Sequence, residues 1–163
     1  MSRTCFVEFR GDGCWAYDVT SSVFLKFLIE AAIKQSSVTA EAWLDDAISH
    51  WRSSAVVSDF DFYLDGDWSP SQVDLVVDLC RIATETIRAG GDLTAADVES
   101  CPVLDTQHIF TRGHDPIPAE PVARFGDAVI ALLRGTLPRP PENRWWFFTL
   151  DEEVDTIPMR TDR

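Results

Sequence analysis

Apolar positions change their spacing several times along this chain, and each change marks an element. Residues 5–19 hold two β-rich runs, Cys-Phe-Val-Glu-Phe and Cys-Trp-Ala-Tyr-Asp-Val, on either side of Gly11-Asp12-Gly13, which predicts a hairpin. A two-residue turn at Asp12-Gly13 would pair Gly11 with Cys14 and Cys5 with Thr20, so that the Cys5 and Cys14 thiols do not face one another. Val23, Phe24, Phe27, Leu28 and Ala31 then recur at helical spacing, predicting a helix capped by Ser21 or Ser22 and running to about Lys34. A second helix is expected over 39–52, with Trp43, Ala47, Ile48 and Trp51 on one face and Glu41, Asp45 and Asp46 off it.

Between residues 56 and 64 the period becomes two. Phe60, Phe62 and Leu64 alternate with Asp59, Asp61 and Tyr63, as in a half-buried strand. Ser69-Pro70-Ser71-Gln72 supplies an N-cap, a proline at the first helical position and a capping-box glutamine, and Gly90-Gly91 the stop, so a helix is expected over 70–89. Residues 91–118 are less regular. A short helix over 95–99 capped by Thr94 and a short strand near 108–112 are expected there. A further helix should run over 121–134 and end at Gly135. The stiff Pro138-Arg139-Pro140-Pro141 connector leads into a continuously apolar strand over 144–150 that contains Trp145-Trp146-Phe147-Phe148.

This order of elements does not alternate strictly. It predicts an α+β fold, with helices packed on one face of a small, largely antiparallel sheet. Residues 1–150 are expected to form a single globular domain and 151–163 an acidic C-terminal tail.

Composition supports a folded chain: 45% of the 163 residues are hydrophobic and 18 are aromatic. Charge narrows the choice of partner. Residues 41–78 hold nine carboxylates against a single arginine, Arg52, a balance of −8 within a chain whose formal charge is −13. Such a concentration creates a directed field that favours a basic protein and disfavours nucleic acid or an anionic membrane surface. No stretch is long and apolar enough to span a bilayer, and residues 1–10 lack the apolar core of a secretion signal, so the expected compartment is cytoplasmic. Four scattered cysteines with no Cys-x-x-Cys pair fit reduced thiols.

The candidate partner-binding residues are Asp59, Asp61, Asp65 and Asp67, with Tyr63 or Trp68 as the aromatic anchor, because a ring surrounded by carboxylates suits a surface rich in Lys and Arg. Aligned on Asp61, the same stretch departs from a calcium loop at Tyr63 and Gln72, so no metal and no cofactor is assigned to it. By charge and size the expectation is a small acidic binding protein that neutralises a basic partner, an immunity-type inhibitor of a bacterial toxin. Two alternatives stand beside it. Cys101, Asp105, His108, His114 and Asp115 could build a metal-assisted or cysteine-dependent enzyme. The aromatic strand around Trp145 and Trp146 could instead lie at a subunit interface in a larger assembly, or be core if both its faces are covered.

Overall fold

A computed structural model describes residues 4–57, 61–100 and 102–160. Strands β1 (Thr4–Phe9) and β2 (Asp12–Tyr17) form the hairpin, followed by helices α1 (Asp18–Thr39), α2 (Ala42–Val56), α3 (Pro70–Gly90), α4 (Ala95–Glu99) and α5 (Ala119–Arg134), then strands β3 (Arg144–Phe148) and β4 (Asp155–Pro158). The fold is α+β, with helices packed against one mixed sheet of order β1-β2-β3-β4. The two hairpin pairs, β1 with β2 and β3 with β4, are antiparallel, whereas β2 and β3 run parallel. The parallel step follows from the connection. The chain leaves β2 straight into α1 and returns to the sheet only after α5, so β3 enters from the same end as β2.

Local signals place the helices well. Ser69 Oγ accepts the Gln72 N–H and the Gln72 side chain returns to the Ser69 N–H, the reciprocal cap expected for α3. Thr94 caps α4 through the Asp97 N–H, and α5 stops at Gly135, whose φ of 70° is left-handed. Helix α1 begins earlier than Ser21, at Asp18. No side chain caps it, and Ser21 is buried. The register of the hairpin also differs from expectation. The turn lies at Arg10 and Gly11, so Phe9 pairs with Asp12, Val7 with Cys14 and Cys5 with Ala16. Cys5 and Cys14 are therefore diagonal neighbours on the buried face, both free thiols, and burial pushes the Cys5 pKa up to about 11.

Helices α1 and α5 both contact the strands and one another, so they form a layer on one face of the sheet. Against them lie the inward residues Val7, Cys14, Ala16 and Phe148. Phe24, Phe62, Phe125 and Phe148 make a continuous, mostly edge-on ring cluster within this core, with centroids 5.7–6.2 Å apart. Gly126 lets α5 approach closely: a Cβ there would stand 2.3 Å from Thr84 Oγ1 of α3 and 2.6 Å from the Phe24 ring.

Three expected elements come out differently. Residues 61–64, expected within a strand, carry no strand, and Val56 belongs to α2. Main-chain carbonyls that a strand would pair go instead to α2: Trp51 Nε1 donates to Tyr63 O at 2.8 Å and Ser54 Oγ to Asp61 O at 2.8 Å. Residues 108–112 likewise form no strand. Residues 151–160, expected in an acidic tail, contain β4, whose residues Ile157 and Thr156 pair with Trp145 and Trp146.

Candidate functional site

A cleft of about 640 Å³ opens between the free edge of β1, the exposed side of α2 and residues 61–64. Phe6 and Glu8 come from β1, Ser49, His50, Ser53 and Ser54 from α2, and Asp61, Tyr63 and Leu64 from the crossing segment. The segment is held there by an unusual edge contact: the Phe6 N–H, pointing away from β2, donates to Asp61 Oδ1 at 3.3 Å. A carboxylate rather than a further strand thus covers this part of the sheet edge.

His50 stacks on Tyr63, with centroids 4.2 Å apart and planes within 18°. One helical turn earlier lies Asp46, whose Oδ2 is 3.7 Å from His50 Nε2. The Tyr63 phenol has its pKa raised, first by partial burial and then by the nearby charges of Asp65 and Asp46. Asp65 also organises the next turn: its Oδ1 accepts the Asp67 N–H at 2.8 Å. Arg10 clamps that turn through its carbonyls, donating to Gly66 O at 3.0 Å and Trp68 O at 2.9 Å.

The expected partner-binding residues therefore have different fates. Asp61 and Tyr63 meet in the cleft, Asp65 stands beside Tyr63, and Asp67 is exposed on the turn. Asp59 lies outside the described residues. Trp68, expected as a surface anchor, is only 5% exposed; it packs edge-on against Trp43, Trp51 and Tyr63 and serves the core. Nothing in the acidic run marks Glu8, His50 and Phe6 as wall residues. Their only signal was the outward position of 6 and 8 in the hairpin and the i,i+4 spacing of Asp46 and His50.

Chemically, the described residues of the cleft wall include two carboxylates, Glu8 and Asp61, and neither Lys nor Arg. Arg52, the one base in the acidic run, lines a separate groove against α1 with Ile33, Ile48 and Leu104. The hydroxyls of Ser53 and Ser54 are directed to main-chain carbonyls, so neither stands as a nucleophile paired with His50. Among the described residues no group of three His, Cys, Asp or Glu side chains is placed to hold a metal ion. The arrangement suits reception of a cationic side chain against an aromatic wall.

The irregular stretch beyond α4 disperses its candidate residues. His108 Nδ1 lies 2.6 Å from Glu99 O, His114 Nε2 lies 3.2 Å from the Tyr17 hydroxyl, and Asp115 accepts the Ala95 N–H at 3.2 Å. Arg112 grips Asp18 with two nitrogens at 2.7–3.1 Å, tying this stretch to the start of α1. Glu99 Oε1 accepts both the Thr111 hydroxyl and the Thr111 N–H, which holds its pKa below the ordinary glutamate range. Cys101 lies outside the described residues. No described helix is long and apolar enough to cross a membrane. Comparison with known proteins gives no family model, curated protein or solved structure that matches the chain.

Proposed function

We propose that this protein binds a basic surface of another protein and occludes it, as an immunity-type inhibitor that neutralises a toxin. The observation that carries the reading is the cleft beside β1, where Glu8 and Asp61 face solvent with neither Lys nor Arg among the described residues of the wall and with Asp46 and Asp65 next to its His50–Tyr63 pair. An unneutralised carboxylate pair raises the local concentration of a cationic partner, and the formal charge of −13 extends that attraction beyond contact range. The rings of Phe6 and Tyr63 supply apolar area between the charges. Nuclease-like toxins with basic substrate grooves are the class of target such a face fits, and a cytoplasmic inhibitor would meet them where they act.

The test is affinity capture from the native host's lysate at low salt, run in parallel with the wild-type chain and with a variant carrying Glu8→Gln, Asp46→Asn, Asp61→Asn and Asp65→Asn. A basic protein held in stoichiometric amount by the wild type, released by salt and not held by the variant is the expected result. Equal retention by both would overturn the assignment of the cleft.

A further inference from the structure

The sheet has a second face, and its side chains are not those of a solvated face. Phe6 pairs with Trp15, Trp15 with Phe147, and Phe147 with Asp155, so these four residues form one row across all four strands, pointing away from α1 and α5. The next row adds Trp145 beside its partner Ile157. None of Phe6, Trp15, Trp145, Phe147 or Ile157 packs against the buried core, and each is half-buried. A sheet covered on one side by helices ordinarily alternates apolar inside with polar outside. Here four of the outside positions, Phe6, Trp15, Trp145 and Phe147, are aromatic.

The cluster is also ordered. The Phe6 centroid lies 5.0 Å from that of Trp15 and 5.3 Å from that of Trp145, the latter edge-on. Phe6 reaches both because Gly13 lies beneath it: a Cβ at Gly13 would stand 2.5 Å from Phe6 Cζ. The surface continues into the acidic cleft, since Phe6 and Glu8 belong to both. Its charged outward strand positions among the described residues, Glu8 and Asp155, are exposed carboxylates, while Arg139 and Arg144 stand beside Trp145 at the far end, in a groove shared with Asp12 and Glu142.

We infer that this aromatic face is the docking surface for arginine side chains of the basic partner, the guanidinium planes lying on Trp15 and Trp145 while their N–H groups reach the carboxylates of Glu8, Asp61 and Asp155. The inference rests on the reading of the protein as a binder of a basic protein and assigns the surface it uses. Arginine fits better than lysine because a planar, weakly hydrated cation stacks on an indole and presents donors at its edge in the same pose. A second copy of this chain fits poorly, because it would bring two sets of carboxylates together within a pair of chains that each carry −13.

The test titrates an oligoarginine peptide and an oligolysine peptide of equal length into the wild-type chain, following the six tryptophan indole N–H resonances. The arginine peptide is expected to bind about fivefold more tightly. The signals of Trp15 and Trp145 should move, while those of Trp51 and Trp146, bonded to Tyr63 O and Pro138 O, should stay in place. Trp145→Leu should abolish the preference for arginine; the resonance shifts carry the same information without a variant. Equal affinities with the Trp15 and Trp145 signals unmoved would overturn the docking surface. The function itself would stand in that case if Glu8→Gln with Asp61→Asn still weakened both peptides. Failure of either peptide to bind at low salt would overturn both readings. A wild-type dimer that dissociates on Trp145→Leu would assign the face to a second copy and overturn the inference.

Discussion

The two faces of one sheet carry aromatic layers of similar chemistry and opposite circumstance. Beneath α1 and α5, Phe24, Phe62, Phe125 and Phe148 are closed off from water, and each ring touches others from a different element. On the far face Phe6 touches both Trp15 and Trp145 at closer centroid distances, yet the three rings remain only partly buried and come only from strands. Ring contact alone therefore does not distinguish core from surface. What differs is whether a second layer removes the remaining area from water, since that area sets the stabilisation. The inner rings join four separate parts of the chain; the outer rings leave apolar surface unused by folding, and unused aromatic surface next to carboxylates is suited to association.

Removing a ring from each face gives the largest contrast. Phe125→Ala should lower unfolding free energy in urea by about 3–5 kcal/mol, because it opens a cavity where three other phenylalanines meet. Trp145→Leu should lower it by only about 1 kcal/mol or less, since its side chain is not packed on the core. Comparable losses would break the distinction between the faces.

Glycines probe the same contrast at smaller amplitude. Gly126→Ala forces a methyl group against Thr84 Oγ1 and Phe24 between two helices and should cost about 1–3 kcal/mol, measured by the urea midpoint. Gly13→Ala meets the Phe6 ring at 2.5 Å and Val7 O at 2.8 Å; the ring can swing into solvent but the carbonyl is main chain and yields only if the hairpin shifts, so the cost should also be about 1–3 kcal/mol. Its signature should be spectral, a change in tryptophan fluorescence as Phe6 leaves Trp15 and Trp145.

The smallest effect concerns pH and lies outside both ring layers. Glu99 titrates lower in the folded protein than in the unfolded chain because Thr111 donates twice to its carboxylate. Its contribution to stability is therefore present above the unfolded value of ~4.3 and is lost as pH falls through the depressed folded value. In a series of urea melts at decreasing pH, Glu99→Gln should be less stable than the wild type near neutrality, and the two should converge in acid. Trp145→Leu should keep the full wild-type acid dependence. Parallel wild-type and Glu99→Gln profiles would remove Glu99 from the acid limb.

Helix ends were the most legible part of the fold. Ser69 with Gln72, Thr94 with Asp97, and Gly135 all act within a few residues of themselves, so their role needs no distant partner. The start of α1 was not legible: Ser21 has the chemistry of a cap, but Asp18 begins the helix and takes Arg112, 94 residues away, as its partner. The site was half legible. The acidic, aromatic pattern marks Asp61 and Tyr63, which share the cleft, whereas Trp68 has the composition of an anchor and the position of a core residue. Glu8 and Phe6 join the cleft only because a segment more than fifty residues later crosses the edge of β1.

By itself the sequence determined the α+β class, the placement of most helices and the excess of acid between residues 41 and 78, because helical period, capping and charge are local or additive properties. Only the tertiary structure decided that residues 61–64 bond to α2 rather than to a strand, that Asp155–Pro158 completes the sheet, and which aromatic row is covered. Those outcomes depend on non-local partners. A period-two pattern states that alternate side chains share a face, and it leaves open whether another layer will lie upon that face.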